Sequence, residues 1–240
     1  RDGKYVGTYE TEELDEDKLI TLMVGRQILY NKNMVKGKTG KTLLELNGLS
    51  KEGNFKDISF ELKAGEVLGI TGLVGSGRTE LAQAIFGVNR PYDGSMKING
   101  VSTKINSSEH AVKQGIAYIP ESRKTQGLIL RQSIINNISL PVLKQLRNKF
   151  KLIKRKEEVK LADHYMKTLD VRPALPKRAA GDLSGGNQQK VVIGKWLSTK
   201  PQILIIDEPT NGIDIGAKSE IHKLMRELAA EGMGIIVISS

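Results

Sequence analysis

An apolar run, Val67-Leu68-Gly69-Ile70-Thr71, feeds directly into Gly72-Leu73-Val74-Gly75-Ser76-Gly77-Arg78-Thr79, and a helical pattern follows over residues 80–86. Few folds accept a strand, a glycine-rich loop and a helix in that order. Two glycines spaced as in G-x-x-x-x-G, followed by a cation and a hydroxyl residue, make a phosphate cradle when they stand between strand and helix. The glycines let backbone N–H groups converge on phosphate oxygens, and the helix adds the positive end of its dipole. Thr79 is placed to offer its hydroxyl to Mg²⁺. Arg78 stands where a lysine usually reaches the terminal phosphates; its guanidinium keeps the charge but is bulkier and forked, so binding is expected to survive better than hydrolysis. A glycine-rich turn before an ordinary helix would show the same residues, so the weight falls on what accompanies them.

Two companions are present. Ile203-Leu204-Ile205-Ile206 ends in Asp207-Glu208, which puts two carboxylates at the C-terminal edge of a buried strand, where ligands of open α/β sheets collect. Asp207 suits a Mg²⁺ site and Glu208 suits polarising the water that attacks a γ-phosphate; a pair capping the next turn before Pro209 is the plainer reading. Leu183-Ser184-Gly185-Gly186-Asn187-Gln188-Gln189 opens another helix, with Trp196 further along as a packing residue. Ser184 could simply cap that helix, but two glycines leave its first N–H groups bare for an incoming phosphate.

The 240 residues are enough for one full α/β domain or two small ones, and 39% apolar with 27% charged residues excludes disorder. There is no Cys and no apolar run long enough to span a membrane, and no signal peptide is visible. His110, His164 and His222 stand apart, which gives a transition-metal site little support. Residues 1–9 read as a hairpin turning at Asp2-Gly3, and 14–24 as a short helix with Leu19, Leu22 and Met23 on one face. The polar stretch 27–41 reads as a linker, with a boundary near 42. Runs 43–46 and 58–62 suggest a small sheet leading to a core strand at 67–71; runs 116–120, 203–206 and 235–238 read as buried parallel strands. A start at Arg1 and an end within the last run suggest an internal piece of a longer chain. Segment 141–178 reads as helical, with Phe150 on its apolar face; residues 144–160 carry eight basic and two acidic side chains of a chain whose net charge is +10. A solvated helical face is the first reading of that charge, and contact with permease loops or anionic headgroups the second.

The phosphate loop, LSGGNQQ at 183–189, IIDEP at 205–209 and Gly212-Ile213-Asp214, in this order, resemble the ATP-binding subunit of ABC transporters. Within it, the strings GLVGSGRTEL, IPESRKTQGL, LSGGNQQK and DEPTNGIDIGAKSEI look like the second nucleotide-binding domain of fused ribose/galactose/xylose-type importer ATPases, and RDGKYVGT with LMVGR looks like the end of a first domain. The resemblance implies an α/β P-loop NTPase fold of the ABC type: a RecA-like core with an antiparallel β subdomain and a helical subdomain about 122–200. It divides the chain into a first-domain remnant (1–26), a linker (27–42) and a C-terminally truncated second domain (43–240). ATP and Mg²⁺ are the implied ligands, held by Gly72 to Thr79 with Thr79 and Asp207 at the metal and Glu208 as catalytic carboxylate. Ser184, Gly185 and Gly186 would act in trans on the opposite domain's ATP, and Asp214 would lie in the loop joining the two sites.

Three positions depart from that pattern: Arg78 for Lys, Glu121 where a Gln is usual, and Ser240 where a His contacts γ-phosphate. Glu121 beside an anionic nucleotide is unfavourable unless Mg²⁺ or Arg123 screens it. No aromatic stands at the usual adenine-stacking place; Phe55, the nearest, is expected to pack in the sheet. These departures imply the less active of two ATP sites. The implied partners are the first nucleotide-binding domain, membrane permease subunits and, indirectly, an external sugar-binding protein, at the cytoplasmic face of the membrane and without nucleic acid. A non-hydrolysing scaffold that completes a neighbour's site remains open, as does an ATPase acting on the ribosome or DNA, which the net charge would suit.

Overall fold

The computed structural model describes residues 5–24, 39–89 and 93–239. Two sheets organise them. The first is antiparallel and contains β1 (Thr42–Lys51), β2 (Phe55–Lys63), β4 (Asp93–Ile98) and β5 (Val101–Ser102) in the order β2-β1-β4-β5. The second is parallel, with β3 (Val67–Thr71), β6 (Ile116–Ile119), β7 (Ile203–Asp207) and β8 (Gly234–Ser239) in the order β3-β8-β7-β6. Helices α1 (Glu16–Val24), α2 (Arg78–Ile85), α3 (Ser108–Lys113), α4 (Ile134–Ser139), α5 (Arg155–Thr168), α6 (Gly185–Leu197) and α7 (Ile215–Ala230) complete the fold. Among the described residues no helix is long and apolar enough to cross a membrane.

The parallel sheet explains why its strands carry unbroken apolar runs. Successive side chains of a strand point to opposite faces, and both faces of β7 are covered. Leu204 and Ile206 enter one core with α4 to α7, while Ile203 and Ile205 enter the other with α2 and the antiparallel sheet. Burying each such side chain contributes about 1.5–3 kcal/mol, so the strand is fixed from both sides. β3, expected as a core strand, lies instead at the sheet edge with alternate residues exposed, because β8 pairs with only one of its sides.

The helical region packs Ile134, Ile138, Ala162, Met166 and Leu169 against Val191, Val192 and Ile193 of α6. Gly194 permits the close approach: a β-carbon there would meet Leu169 and Tyr165 at 3.2 and 3.3 Å. Glu158, 2% exposed, is held inside by Ser139 Oγ at 2.7 Å and Arg155 Nη1 at 2.6 Å.

Three further expectations are corrected. Of the segment 141–178 only Arg155–Thr168 is α-helix: after a 3₁₀ turn (Leu140–Val142) the chain forms a tight tip closed by an antiparallel bridge between Arg147 and Ile153. The Asn148 side chain accepts hydrogen bonds from the Phe150 and Leu152 amides, offering the backbone an alternative to helix. Phe150 is therefore exposed. Residues 5–10 form no strand, so the hairpin expected over 1–9 is absent from its described part. In α1 the buried residue is Ile20, where α1 meets α7; Leu19 and Met23 face outward. The linker expected at 27–41 falls largely outside the described residues.

Candidate phosphate-binding site

From the end of β3 the chain turns through residues 72–77 into α2. Gly75 and Gly77 take φ of 81° and 85°, a left-handed region that side chains disfavour. Gly77 is doubly restricted, because a β-carbon there would sit 2.1 Å from the Asn54 carbonyl oxygen. It also caps α2 without any side-chain bond, which leaves the first helical amides to a ligand of the loop. Leu73 and Val74 are exposed, and Gly72 packs next to the Ser76 hydroxyl.

The loop opens onto a cleft of about 670 Å³ lined by Ser76, Arg78 and Thr79 on one side and by Glu121, Glu208 and Lys218 on the other. Arg78 lines it while donating to the Ser239 carbonyl and, at 3.3 Å, to the Leu73 carbonyl. Its fork thus ties the loop to the end of β8. Ser240 lies outside the described residues.

Asp207 ends β7 and is 1% exposed. Its Oδ2 accepts from the Tyr118 hydroxyl at 3.2 Å, whereas Oδ1 has no hydrogen-bond partner among the described residues. Burial pushes its pKa up from the ordinary aspartate value; the nearby Thr79 and Tyr118 hydroxyls oppose this, and the charges of Glu121 and Glu208 add to it. Burial raises the Tyr118 phenol too, with the Asp207 carboxylate as the next cause. Glu208 follows with φ of 45°, an unusual backbone for a non-glycine residue, held by its amide bonding the Ile238 carbonyl at 3.0 Å. A buried carboxylate oxygen without a partner, beside a hydroxyl and two further carboxylates, fits a divalent cation. Among the described residues no three His, Asp or Glu form a metal cage, so the remaining ligands would be phosphate and water.

Glu121 follows β6, and its Oε1 accepts from Asn211 Nδ2 at 3.2 Å. Arg123 does not screen it by a direct bond. Its Nη1 and Nη2 instead donate to the Asn211 and Gly212 carbonyls, each at 2.7 Å.

Ser184, Gly186 and Asp214 line a different cleft, of about 530 Å³, with Asp170, Arg172 and Lys190. The two clefts share no lining residue. Ser184 precedes α6 but makes no capping bond; its hydroxyl accepts from Asn187 Nδ2 at 3.0 Å. Both glycines are closely packed within this chain. A β-carbon on Gly185 would lie 2.9 Å from Arg123 Nη2, and one on Gly186 would lie 2.7 Å from the Ala217 β-carbon. Asp214 caps α7, accepting from the Ala217 amide at 2.8 Å. Phe55 is buried with the antiparallel sheet, and Trp196 packs edge-on against Phe86 at 5.3 Å.

The family model described as ABC transporter matches residues 55–211, which hold the phosphate loop, Ser184 to Gly186, and Asp207-Glu208. The chain belongs to the ABC transporter family. Its fold is that of the family's ATP-binding cassettes: a crystal structure of a nucleotide-free ATP-binding cassette from an ABC transporter superposes with a TM-score of 0.72 at 25% identity, covering 83% of this chain and 82% of that one. A dimeric bacterial ABC transporter cassette gives 0.70 at 24% identity, with 82% and 88% covered, and speaks for the fold alone. Among curated relatives, the ribose import ATP-binding protein RbsA of Clostridium tetani is 48% identical over all 240 residues, which make up 48% of that protein. The corresponding RbsA 2 of Rhizobium johnstonii is 45% identical, with 47% of its length covered. The chain thus spans about half the length of the curated relatives it matches.

The cassette's geometry adds residues that the linear reading missed. Tyr118 is the one polar side chain in the run Ile116–Ile119 and bonds Asp207 because β6 and β7 run parallel in register. Lys218 reaches the phosphate cleft from α7. In the sequence Arg123 stands out only as a screen for Glu121, and nothing local marks its carbonyl partners.

Proposed function

We propose that this chain is the second nucleotide-binding domain of a tandem ATPase that powers monosaccharide import, and that it works as one of two half-sites. The observation that carries this reading is the separation of the two clefts: the phosphate loop with Glu208 lines one, Ser184 with Gly186 lines the other, and neither holds both sets. Gly72, Gly75 and Gly77 with the start of α2 receive the phosphates, and Ser184, Gly185 and Gly186 serve the ATP of the opposite domain. Thr79 and Asp207 hold Mg²⁺, which when bound neutralises charge on the phosphates. Glu208 orients the attacking water as the catalytic carboxylate, and Asp214 belongs to the loop between the half-sites. The RbsA names support ribose or a similar sugar as cargo. Permease subunits, an external sugar-binding protein and a peripheral position at the cytoplasmic face complete the proposal.

Arg78 favours a second reading, in which this half binds nucleotide but turns it over slowly or not at all. A guanidinium engaged by the Ser239 and Leu73 carbonyls is less available to developing charge than a lysine aimed at the phosphates. Loss of one well-placed contact in such sites costs about two to three decades in rate. Sugar-stimulated phosphate release from reconstituted transporter decides between the readings. Glu208→Gln leaves most turnover standing if this is the slow half, while the matching change in the first domain abolishes it; equal loss in both removes the asymmetry.

A further inference from the structure

The tip between α4 and α5 is built to expose apolar side chains. The Arg147 to Ile153 bridge closes it, the Asn148 amide bonds the Leu152 carbonyl at 2.8 Å, and the Lys154 amide bonds the Leu146 carbonyl at 2.8 Å. Asn148 Oδ1 fixes the bend from inside, accepting from the Phe150 and Leu152 amides at 2.9 and 3.0 Å, and Lys151 takes a φ of 63° to complete it. The product of all this hydrogen bonding is a Phe150 that is 72% exposed and a Leu152 that is 65% exposed. Lone exposed apolar residues need no explanation. Two on a pinned tip are different, since the backbone ordering that binding would otherwise require is already done.

The surrounding charge says what such a tip meets. Arg147, Lys149, Lys151, Lys154, Arg155 and Lys156 flank the two apolar side chains, and no carboxylate occurs from 144 to 156. Arg155 is committed to Glu158, and Lys149 places its ammonium 5.5 Å from the centre of the Phe150 ring. Apolar side chains amid lysines match the boundary between acyl chains and anionic headgroups, where ring and aliphatic stems enter the apolar layer and the ammonium groups stay with phosphate.

We propose that this tip is a docking point for an anionic phospholipid surface, with Phe150 and Leu152 inserted and the lysines at headgroup level. It acts independently of the nucleotide clefts, so its test does not depend on ATP turnover. The full chain is floated with vesicles of phosphatidylcholine alone and of phosphatidylcholine mixed with phosphatidylglycerol. Binding is expected only to the mixed vesicles. It should weaken about fivefold for Lys151→Gln, weaken about tenfold for Phe150→Ser, and be lost at high salt. Phe150→Trp should retain binding and shift its emission to the blue on mixed vesicles alone. All these positions are exposed, so the unfolding midpoint should not move. Equal binding to both vesicle types overturns the proposal, as does a Lys223→Gln control on α7 that weakens binding as much as Lys151→Gln, which would mean diffuse charge attraction. Absence of vesicle binding, with Phe150→Ser instead loosening attachment to the permease, assigns the tip to a protein partner and also overturns it.

Discussion

The phosphate cleft and the Ser184 cleft are made from neighbouring stretches of one chain, yet they differ in how far the chain itself uses their residues. In the first, Asp207 Oδ1 lacks a hydrogen-bond partner among the described residues and Glu208 holds a left-handed backbone, features that cost stability. In the second, Gly185 makes room for Arg123, Gly186 makes room for Ala217, and Asp214 caps α7. Substitutions at Asp207 therefore read out ligand chemistry, while those at Gly185, Gly186 and Asp214, like Gly77 of the loop, also disturb packing. Ser184 is the exception, since its side chain makes no cap and its hydroxyl accepts from Asn187.

The largest expected effect is at Gly77. Gly77→Ala adds a β-carbon against the Asn54 carbonyl at a positive φ, and should cost about 3 kcal/mol or more in chemical denaturation and remove nucleotide binding. Unchanged stability would mean the loop relaxes freely and is not a rigid cradle. Next comes the contrast between hydroxyls. Thr79→Ala should weaken Mg-ATP binding about tenfold to a hundredfold by calorimetry, as for a lost contact to a charged group, whereas Ser184→Ala should leave it unchanged. Equal weakening would place both clefts on the same nucleotide and break the distinction.

The smallest effect is on stability and depends on pH. Asp207 has a raised pKa in the fold, so the folded state holds its proton more tightly than the unfolded chain. Its contribution is fully present below the ordinary aspartate range and is lost as pH rises through the raised value. Without nucleotide, Asp207→Asn should then raise the unfolding midpoint at neutral pH by ~2–4 °C, about 1 kcal/mol for a domain of this size, and the gain should vanish on acidification. With Mg-ATP the order should reverse. A variant less stable than the parent at every pH would show that the carboxylate is already satisfied.

What could be read from the sequence was whatever depends on contiguous residues. The loop at 72–79 and the run ending in Asp207-Glu208 carry their strand, glycine and charge signals within a few positions. The Tyr118 bond to Asp207 joins residues far apart in the chain and becomes visible only once β6 and β7 are paired. The tip at 147–153 reads as helix in the sequence because Leu146, Phe150 and Ile153 fall at helical spacing. Asn148 was the available signal, a side chain able to bond the amides two and four residues on. In α1 the same periodic reading chose Leu19 and Met23 over Ile20, since a short helix leaves the buried stripe to be decided by its neighbour α7.

The Arg123 fork has a mechanical consequence. Arg123 begins a short π-type turn (Arg123–Gly127) just beyond Glu121, and it grips the carbonyls of Asn211 and Gly212, midway between Glu208 and Asp214. Asn211 in turn returns a bond to Glu121. The strap leaving β6 and the strap leaving β7 are thus cross-braced, and a pull on either one is shared by the other. A force applied at the 123–127 turn would be carried straight into the stretch between Glu208 and Asp214, which borders both clefts.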